Sequence, residues 1–153
     1  MPNDLLKTYL RKRIIATENS GAGLADYEFE LLTPDQRFQY AMKMVESGRV
    51  ISDEKFKLLT PDQRFQYLMK RVEKGSRISN NQFKLLSPDQ RFQYAIKIIK
   101  KGYGILDEKF KLLTPDHRFQ YALKRVENGY HISKEQFELL TPDQQKIIRD
   151  YKS

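Results

Sequence analysis

The chain contains no cysteine and no tryptophan, and only two histidines, His117 and His131, among its 153 residues. Without cysteine there are no disulfides, no thiolate nucleophiles and no Cys-ligated zinc, and two histidines leave most metal sites short of their usual ligands. Long hydrophobic runs are missing too, since nothing approaches the roughly 20 apolar residues that cross a bilayer. The start, Met1 to Leu10, lacks the apolar core and small-residue cleavage site of a secretory signal. No P-loop, Gly-rich dinucleotide turn, His-Glu-x-x-His or nucleophile elbow is present. Together these absences predict a protein that is not an enzyme, needs no cofactor or metal, takes no small-molecule substrate, and works off the membrane in the cytoplasm or nucleus.

What is present is a basic, polar chain with an internal repeat. Lys and Arg number 28 against 20 Asp and Glu, a net charge of +8, while 39% hydrophobic residues still allow a modest core. The motif Phe-x-Leu-Leu-(Thr/Ser)-Pro-Asp begins at Phe29, Phe56, Phe83, Phe110 and Phe137, each start 27 residues after the last. Four copies are complete, with no insertion between them, and a truncated fifth follows. Strict self-similarity at this period is the signature of stacked structural repeats.

Each copy reads as two helices. In Thr60-Pro61-Asp62-Gln63 the threonine supplies an N-cap hydroxyl, proline takes the first helical position where its missing donor is harmless, and glutamine closes a capping box. Phe65, Leu68 or Met69, and Val72 then form one apolar stripe until Gly75 supplies the left-handed residue that stops the helix. This predicts a helix of roughly 14 residues, about 21 Å long. A shorter helix, about eight residues, starts at Ser79, capped by its hydroxyl with Gln82 three residues on. Ile78 before it is placed to staple onto Phe83, and Ser133, Gln136, Ile132 and Phe137 repeat the arrangement. The helix ends at Leu85-Leu86, because the residue before Pro88 is pushed out of the helical region. In the third copy Leu106 takes the serine position, so either Asp107 caps one residue later or that helix start is weaker.

Helices this short cannot bury an apolar face alone, so stability must come from stacking neighbouring copies. The expected fold is all-α: a helical-repeat solenoid of two-helix units with a 27-residue period and capping helices at both ends. Residues 1–28 form an N-terminal capping helix and linker, 29–136 four tandem repeats, and 137–153 a truncated fifth repeat that caps the C-terminal end. The first cap is a helix from Asp4 to about Asn19 with Leu6, Leu10 and Ile14 on one face, followed by a flexible Ser20-Gly21-Ala22-Gly23 stretch. In the last copy Lys146, Ile147, Ile148 and Arg149 fall where Phe119, Gln120, Tyr121 and Ala122 stand, as suits a helix with no further neighbour.

The positive charge is localised. Copies two, three and four carry net charges of +4, +3 and +2, and the rest of the chain sums to −1. A continuous basic surface would attract nucleic acid or an acidic protein, although lysines and arginines also simply solubilise helices. Arg37, Arg64, Arg91 and Arg118 share one place in the first turn of successive long helices, and Lys43, Lys70, Lys97 and Lys124 another further along. Stacked helices about 8–10 Å apart would set the arginines in a ladder able to meet successive phosphates. The competing expectation pairs each Arg with a carboxylate of a neighbouring copy, such as Asp62 or Asp89, because a cation in a first turn opposes the helix dipole.

Phe38, Phe65, Phe92 and Phe119 are expected in the core, as are the phenylalanines of the Phe-x-Leu-Leu segments. Tyr40, Tyr67, Tyr94 and Tyr121 are expected to seal the seams between copies with their hydroxyls at the rim. Between the helix-ending glycine and the following isoleucine lie four different pairs, Arg49-Val50, Ser76-Arg77, Tyr103-Gly104 and Tyr130-His131, while the flanking residues hardly change. Such loop positions suit either recognition or neutral drift, and Arg49, Arg77, Tyr103, Tyr130 and His131 are side chains suited to touching a partner. The long-helix positions Met44, Arg71, Ile98 and Arg125 vary as well.

The stretch Leu32-Thr33-Pro34-Asp35-Gln36, repeated at Leu59 to Gln63 and Leu140 to Gln144, resembles the opening of a TAL-effector DNA-binding repeat. The resemblance implies a variable pair between two helices that reads a DNA base, here Arg49-Val50 and its equivalents. It covers about five residues per copy. The period is shorter than that family's, and the long helix precedes the variable pair. The expected function is a non-enzymatic binding scaffold whose central basic face takes nucleic acid or a nucleic-acid-associated partner. The alternative is an effector-like adaptor that engages an acidic protein surface.

Overall fold

The computed structural model describes residues 3–20 and 23–152. Among the described residues there are eleven helices and no strand. They are α1 (Asn3–Ser20), α2 (Asp26–Glu30), α3 (Pro34–Glu46), α4 (Asp53–Lys57), α5 (Pro61–Glu73), α6 (Asn80–Lys84), α7 (Pro88–Lys100), α8 (Asp107–Lys111), α9 (Pro115–Glu127), α10 (Lys134–Glu138) and α11 (Pro142–Lys152). Among the described residues no helix is long and apolar enough to cross a membrane.

The local chemistry explains the alternation of short and long helices. Thr33, Thr60 and Ser87 each cap a long helix: the hydroxyl accepts from the backbone N–H three residues on, and Gln36, Gln63 or Gln90 returns a bond to the cap's own N–H. Thr114 caps α9 in the same way, but His117 stands where glutamine would complete the box. Each of these four helices ends at a glycine in the left-handed region, Gly48, Gly75, Gly102 and Gly129. The N–H beyond it closes on a carbonyl of the last turn, as Ser76 does on Arg71 at 2.9 Å.

The short helices are shorter than their sequence suggests, five residues rather than eight. Leu85 and Leu86 bond back three residues, to the carbonyls of Gln82 and Phe83, so the chain tightens before the extended cap ahead of Pro88. Helix α8 starts at Asp107 with Leu106 at its N-cap and no side-chain cap bond. The weaker of the two expected starts is the one that forms.

The chain divides into two compact units, Met1–Ile78 and Ser79–Ser153. In the first, α1 and α5 pack on α3, and α2 packs on α4. Leu10 of α1 is buried and Leu6 half-buried; the side chain of Ile14 and residues Gly21-Ala22 lie outside the described residues. Arg13 grips the buried Glu28 with two nitrogens, at 2.9 and 3.2 Å, and so fastens α1 to α2. In the second unit α9 packs between α7 and α11, and α8 between α6 and α10.

The core differs from expectation in one systematic respect. Phe29, Phe56, Phe83 and Phe110 of the short helices are fully buried, each against the tyrosine of its own long helix, Tyr40, Tyr67, Tyr94 or Tyr121, with ring centroids 5.6–5.8 Å apart. These tyrosines are buried, whereas Phe38, Phe65, Phe92 and Phe119 are only half-buried. The tyrosine can be the deeper ring because its hydroxyl has a partner inside. Tyr40 Oη accepts the N–H of Leu24 at 2.8 Å, Tyr67 Oη that of Ile51 at 3.1 Å, and Tyr121 Oη that of Ile105 at 2.8 Å. Each bond ties the loop before a short helix to the long helix that follows. An amide buried without that hydroxyl would cost about 1–3 kcal/mol.

Several polar contacts between hairpins within each unit share one pattern: the first residue of a short helix holds the next short helix. Asp26 accepts from Ser52 Oγ at 2.9 Å and from the buried Lys55 Nζ at 2.8 Å. In the second unit Asn80 accepts from the buried Lys109 Nζ at 2.9 Å, and Asp107 accepts from Ser133 Oγ at 2.7 Å. The buried Gln136 donates to the carbonyl of Ile105 at 3.0 Å.

Candidate recognition surface

The arginines of the expected ladder are half-buried and meet backbone carbonyls. Arg37 donates from Nε to Phe29 O and from Nη2 to Glu30 O, at 3.2 and 2.7 Å. Arg64 does the same to Phe56 and Lys57, at 3.4 and 2.6 Å. Arg91 reaches Phe83 and Lys84 at 3.2 and 2.8 Å, and Arg118 reaches Phe110 and Lys111 at 3.4 and 2.7 Å. Carbonyls at a helix C-terminus lack intrahelical partners and carry the negative end of the dipole, so a guanidinium folded back from the next helix satisfies both needs. The carboxylates considered as partners are otherwise engaged: Asp62 accepts from Gln66 at 2.8 Å, and Asp89 faces His117 Nε2 at 3.9 Å. Arg91 makes one more bond, from Nη1 to the carbonyl of Leu112 at 3.2 Å, which fastens its hairpin to the next.

Geometry adds residues that the sequence reading passed over. The residue whose carbonyl holds Arg64, Arg91 and Arg118 is Lys57, Lys84 and Lys111, and all three lysine side chains are exposed. Copies two to four therefore each set a lysine beside an arginine at the corner between short and long helix. At the same position the first copy has Glu30 and the last has Glu138. The signal was present in the variable letter of Phe-x-Leu-Leu, which is lysine in the three copies that carry the positive charge.

The remaining expected residues scatter. Lys70 and Lys97 are half-buried, and Lys43 and Lys124 exposed. In the first unit Lys70 lines a cavity of about 290 Å³ with Met42, Phe65 and Met69. Arg49, Arg77, Tyr103, Tyr130 and His131 are all exposed at the opposite end of the long helices from the Lys–Arg corners. Within this group the structure brings Tyr103, Tyr130 and His131 together through Arg125. Its Nε and Nη2 donate to the His131 carbonyl at 3.1 and 2.8 Å, its Nη1 donates to the Tyr103 carbonyl at 3.2 Å, and its guanidinium lies 4.7 Å from the centre of the Tyr130 ring. Arg71 makes the simpler version, donating to the carbonyl of Arg77 at 3.3 Å.

Gly104 makes the larger network sterically feasible. A Cβ at that position would lie 3.0 Å from both Arg125 Cζ and Tyr121 Oη. Beside this network, in the second unit, opens a cleft of about 580 Å³ bordered by Leu106, Asp107, Arg125, His131 and Ser133. Burial pushes the Tyr121 hydroxyl above its ordinary pKa, opposed by the Ile105 N–H and the charge of Arg125. Tyr67 is raised for the same leading reason.

Comparison with family models, with curated proteins and with solved structures finds no match to this chain. The short likeness to a TAL-effector repeat therefore carries no family membership.

Proposed function

We propose that this chain is a helical-repeat solenoid of two-helix units, repeating every 27 residues, that binds nucleic acid through the basic corners of its central copies. Support for the repeat lies in the short helices, which start at Asp26, Asp53, Asn80, Asp107 and Lys134, and in the long helices, which start at Pro34, Pro61, Pro88, Pro115 and Pro142. The observation that carries the function is the Lys–Arg corner. Arg64 and Arg118 are held by two carbonyls each and Arg91 by three, so their guanidinium groups are orientated in advance, and each stands beside an exposed lysine. Such fixed pairs lose little side-chain entropy on meeting a phosphate, and arginine can serve a carbonyl and a phosphate with different N–H groups. No chemistry beyond binding is proposed.

The test is titration of the full chain with duplex DNA and duplex RNA at several salt concentrations. Neutralising Z phosphates of duplex DNA gives a log–log slope near −0.9Z. Replacing Lys57, Lys84 and Lys111 by glutamate, as in the outermost copies, should flatten that slope and abolish measurable binding. Absence of binding to either nucleic acid at low salt would overturn the reading. It would favour the second one, a protein-interaction adaptor, for which the specific support is the cavity lined by Met42, Phe65 and Met69: methionine-rich apolar surface adapts to partner side chains.

A further inference from the structure

The loop end of the second unit is not used by the Lys–Arg corners, yet it is the more elaborately built surface. Tyr103 is 55% exposed and Tyr130 39% exposed. Neither position is aromatic in the first two copies, which have Arg49 and Ser76 there. Tyr130 is braced from one side by Arg125, and its hydroxyl reaches toward Gly102, where a Cβ would lie 3.5 Å away. Tyr103 belongs to the preceding copy, and the same guanidinium holds its carbonyl. One arginine thus fixes the loops of two adjacent copies, and Gly104 provides the room. Lys100 and Lys101 at the end of α7 are exposed beside Tyr103, and the cleft next to Arg125 and His131 has both hydrogen-bond donors and acceptors on its wall.

Exposed aromatic rings beside lysine and arginine side chains are the elements with which proteins hold unpaired nucleotides: bases stack on the rings while cations follow the backbone. A duplex hides its base faces and gains nothing from such rings. We infer that the edge formed by Tyr103, Tyr130, Arg125 and Lys100-Lys101 is a binding site for single-stranded nucleic acid, with bases stacking on the two tyrosines and one base entering the adjacent cleft. This rests on the nucleic-acid reading above and adds a strand preference to it, at a different place on the chain. The cleft carries Asp107 and Glu108 on its wall, so it suits the amino groups of a base and repels phosphate, which belongs with the lysines outside.

The experiment compares fluorescein-labelled oligodeoxyadenosine and oligocytidine of about a dozen nucleotides, whose bases carry amino groups, with a duplex of the same length, on the full chain and on Tyr103→Ala, Tyr130→Ala and Tyr103→Phe. The expected result is tighter binding of the single strands and a loss of about tenfold or more in their affinity for each alanine variant. Duplex affinity should stay unchanged, and Tyr103→Phe should behave as the parent, since phenylalanine keeps the ring. Tyr103 is exposed, so its replacement leaves the fold intact, which circular dichroism checks. Equal affinity for both strand types, or single-strand affinity indifferent to Tyr103→Ala, overturns this inference while leaving the basic corners standing. Failure of every oligonucleotide to bind at low salt removes the nucleic-acid reading, and this inference with it.

Discussion

Gln145 donates from Nε2 to the carbonyl of Phe137 at 2.9 Å, the bond that Arg37, Arg64, Arg91 and Arg118 make from Nε to the equivalent phenylalanine. The final copy keeps the cap without the charge. The position therefore has a structural duty, C-terminal capping of the short helix, that is separable from any electrostatic one. Arg91→Ala removes three carbonyl bonds from a partly exposed charged donor and should cost about 1.5–3 kcal/mol. Arg91→Gln should recover about half of that while still weakening nucleic-acid binding. Urea unfolding and salt titration of the two variants, side by side, separate the roles; equal stability of both would mean that the carbonyl bonds contribute nothing.

The buried tyrosine hydroxyls give a second prediction. Tyr67→Phe preserves the ring packed on Phe56 but leaves the buried N–H of Ile51 without its acceptor. A loss of about 1–3 kcal/mol in unfolding free energy is expected. Because burial raises the Tyr67 and Tyr121 hydroxyls, the folded protein also resists their ionisation. The stability this contributes is complete below about pH 10 and is lost as pH rises through the elevated folded value. Alkaline unfolding followed by tyrosinate absorbance should show these hydroxyls titrating only with the loss of helix.

Acid acts on the first unit. Glu28 is held below the ordinary carboxylate range chiefly by its bond to Arg13, and Asp26 by its bonds to Lys55 and Ser52. Groups lowered in the folded state stabilise it above their unfolded pKa of about 4, and that contribution disappears as pH falls through the lower folded values. Amide hydrogen exchange near Phe29 and Phe56 should accelerate below about pH 4 more than exchange near Phe83 and Phe110. The double variant Asp26→Asn, Glu28→Gln should abolish the difference at the cost of lower stability at neutral pH.

Lys109 and Lys55 occupy equivalent buried places, but Lys109 meets the neutral Asn80 where Lys55 meets Asp26. Asn80→Asp supplies a charged acceptor at the start of α6, which also favours the helix dipole. A gain of about 0.5–2 kcal/mol is expected, with thermal melting as the measure. A decrease would show that the lysine is already fully compensated.

Gly104→Ala tests the bridge at the loop end. Its Cβ would press on Arg125 Cζ and Tyr121 Oη, each of which must give by a few tenths of an ångström, which strains the bond from Arg125 to the Tyr103 carbonyl. Overpacking of this kind costs about 1–3 kcal/mol. A crystal structure of the variant with Arg125 undisturbed would refute the account of why glycine stands there.

Much of the local architecture was legible in the sequence, and the reasons are specific. Thr60, Pro61 and Gln63 announce a helix start because each satisfies a distinct backbone requirement, and Gly75 announces the end because few other residues adopt its dihedrals. The burial order of Phe65 and Tyr67 was not legible. Hydropathy ranks phenylalanine as the more apolar ring, and the amide that accommodates the tyrosine hydroxyl lies 16 residues earlier, at Ile51. The partners of Arg64 and Arg91 were hidden for a related reason: backbone carbonyls are present at every position and leave no trace in residue identity. The charge localisation was legible by counting, whereas its arrangement into Lys–Arg corners needed the turn that sets Lys57 against Arg64. The bridge reaches from Arg125 of α9 back 22 residues to the Tyr103 carbonyl, a backbone group that residue identity does not mark.

The bonds from Asp26 to Ser52 and Lys55, from Asn80 to Lys109 and from Asp107 to Ser133 each join one short helix to the next. A chain wired in this way keeps no long-distance accounts. Removal or duplication of one hairpin would give most new neighbours a donor and an acceptor of similar kind, the exception being Leu106, which has no hydroxyl where the other copies have serine. Copy number is then a quantity that evolution, or an engineer, can change by splicing rather than by redesign, lengthening or shortening the array in steps of one hairpin.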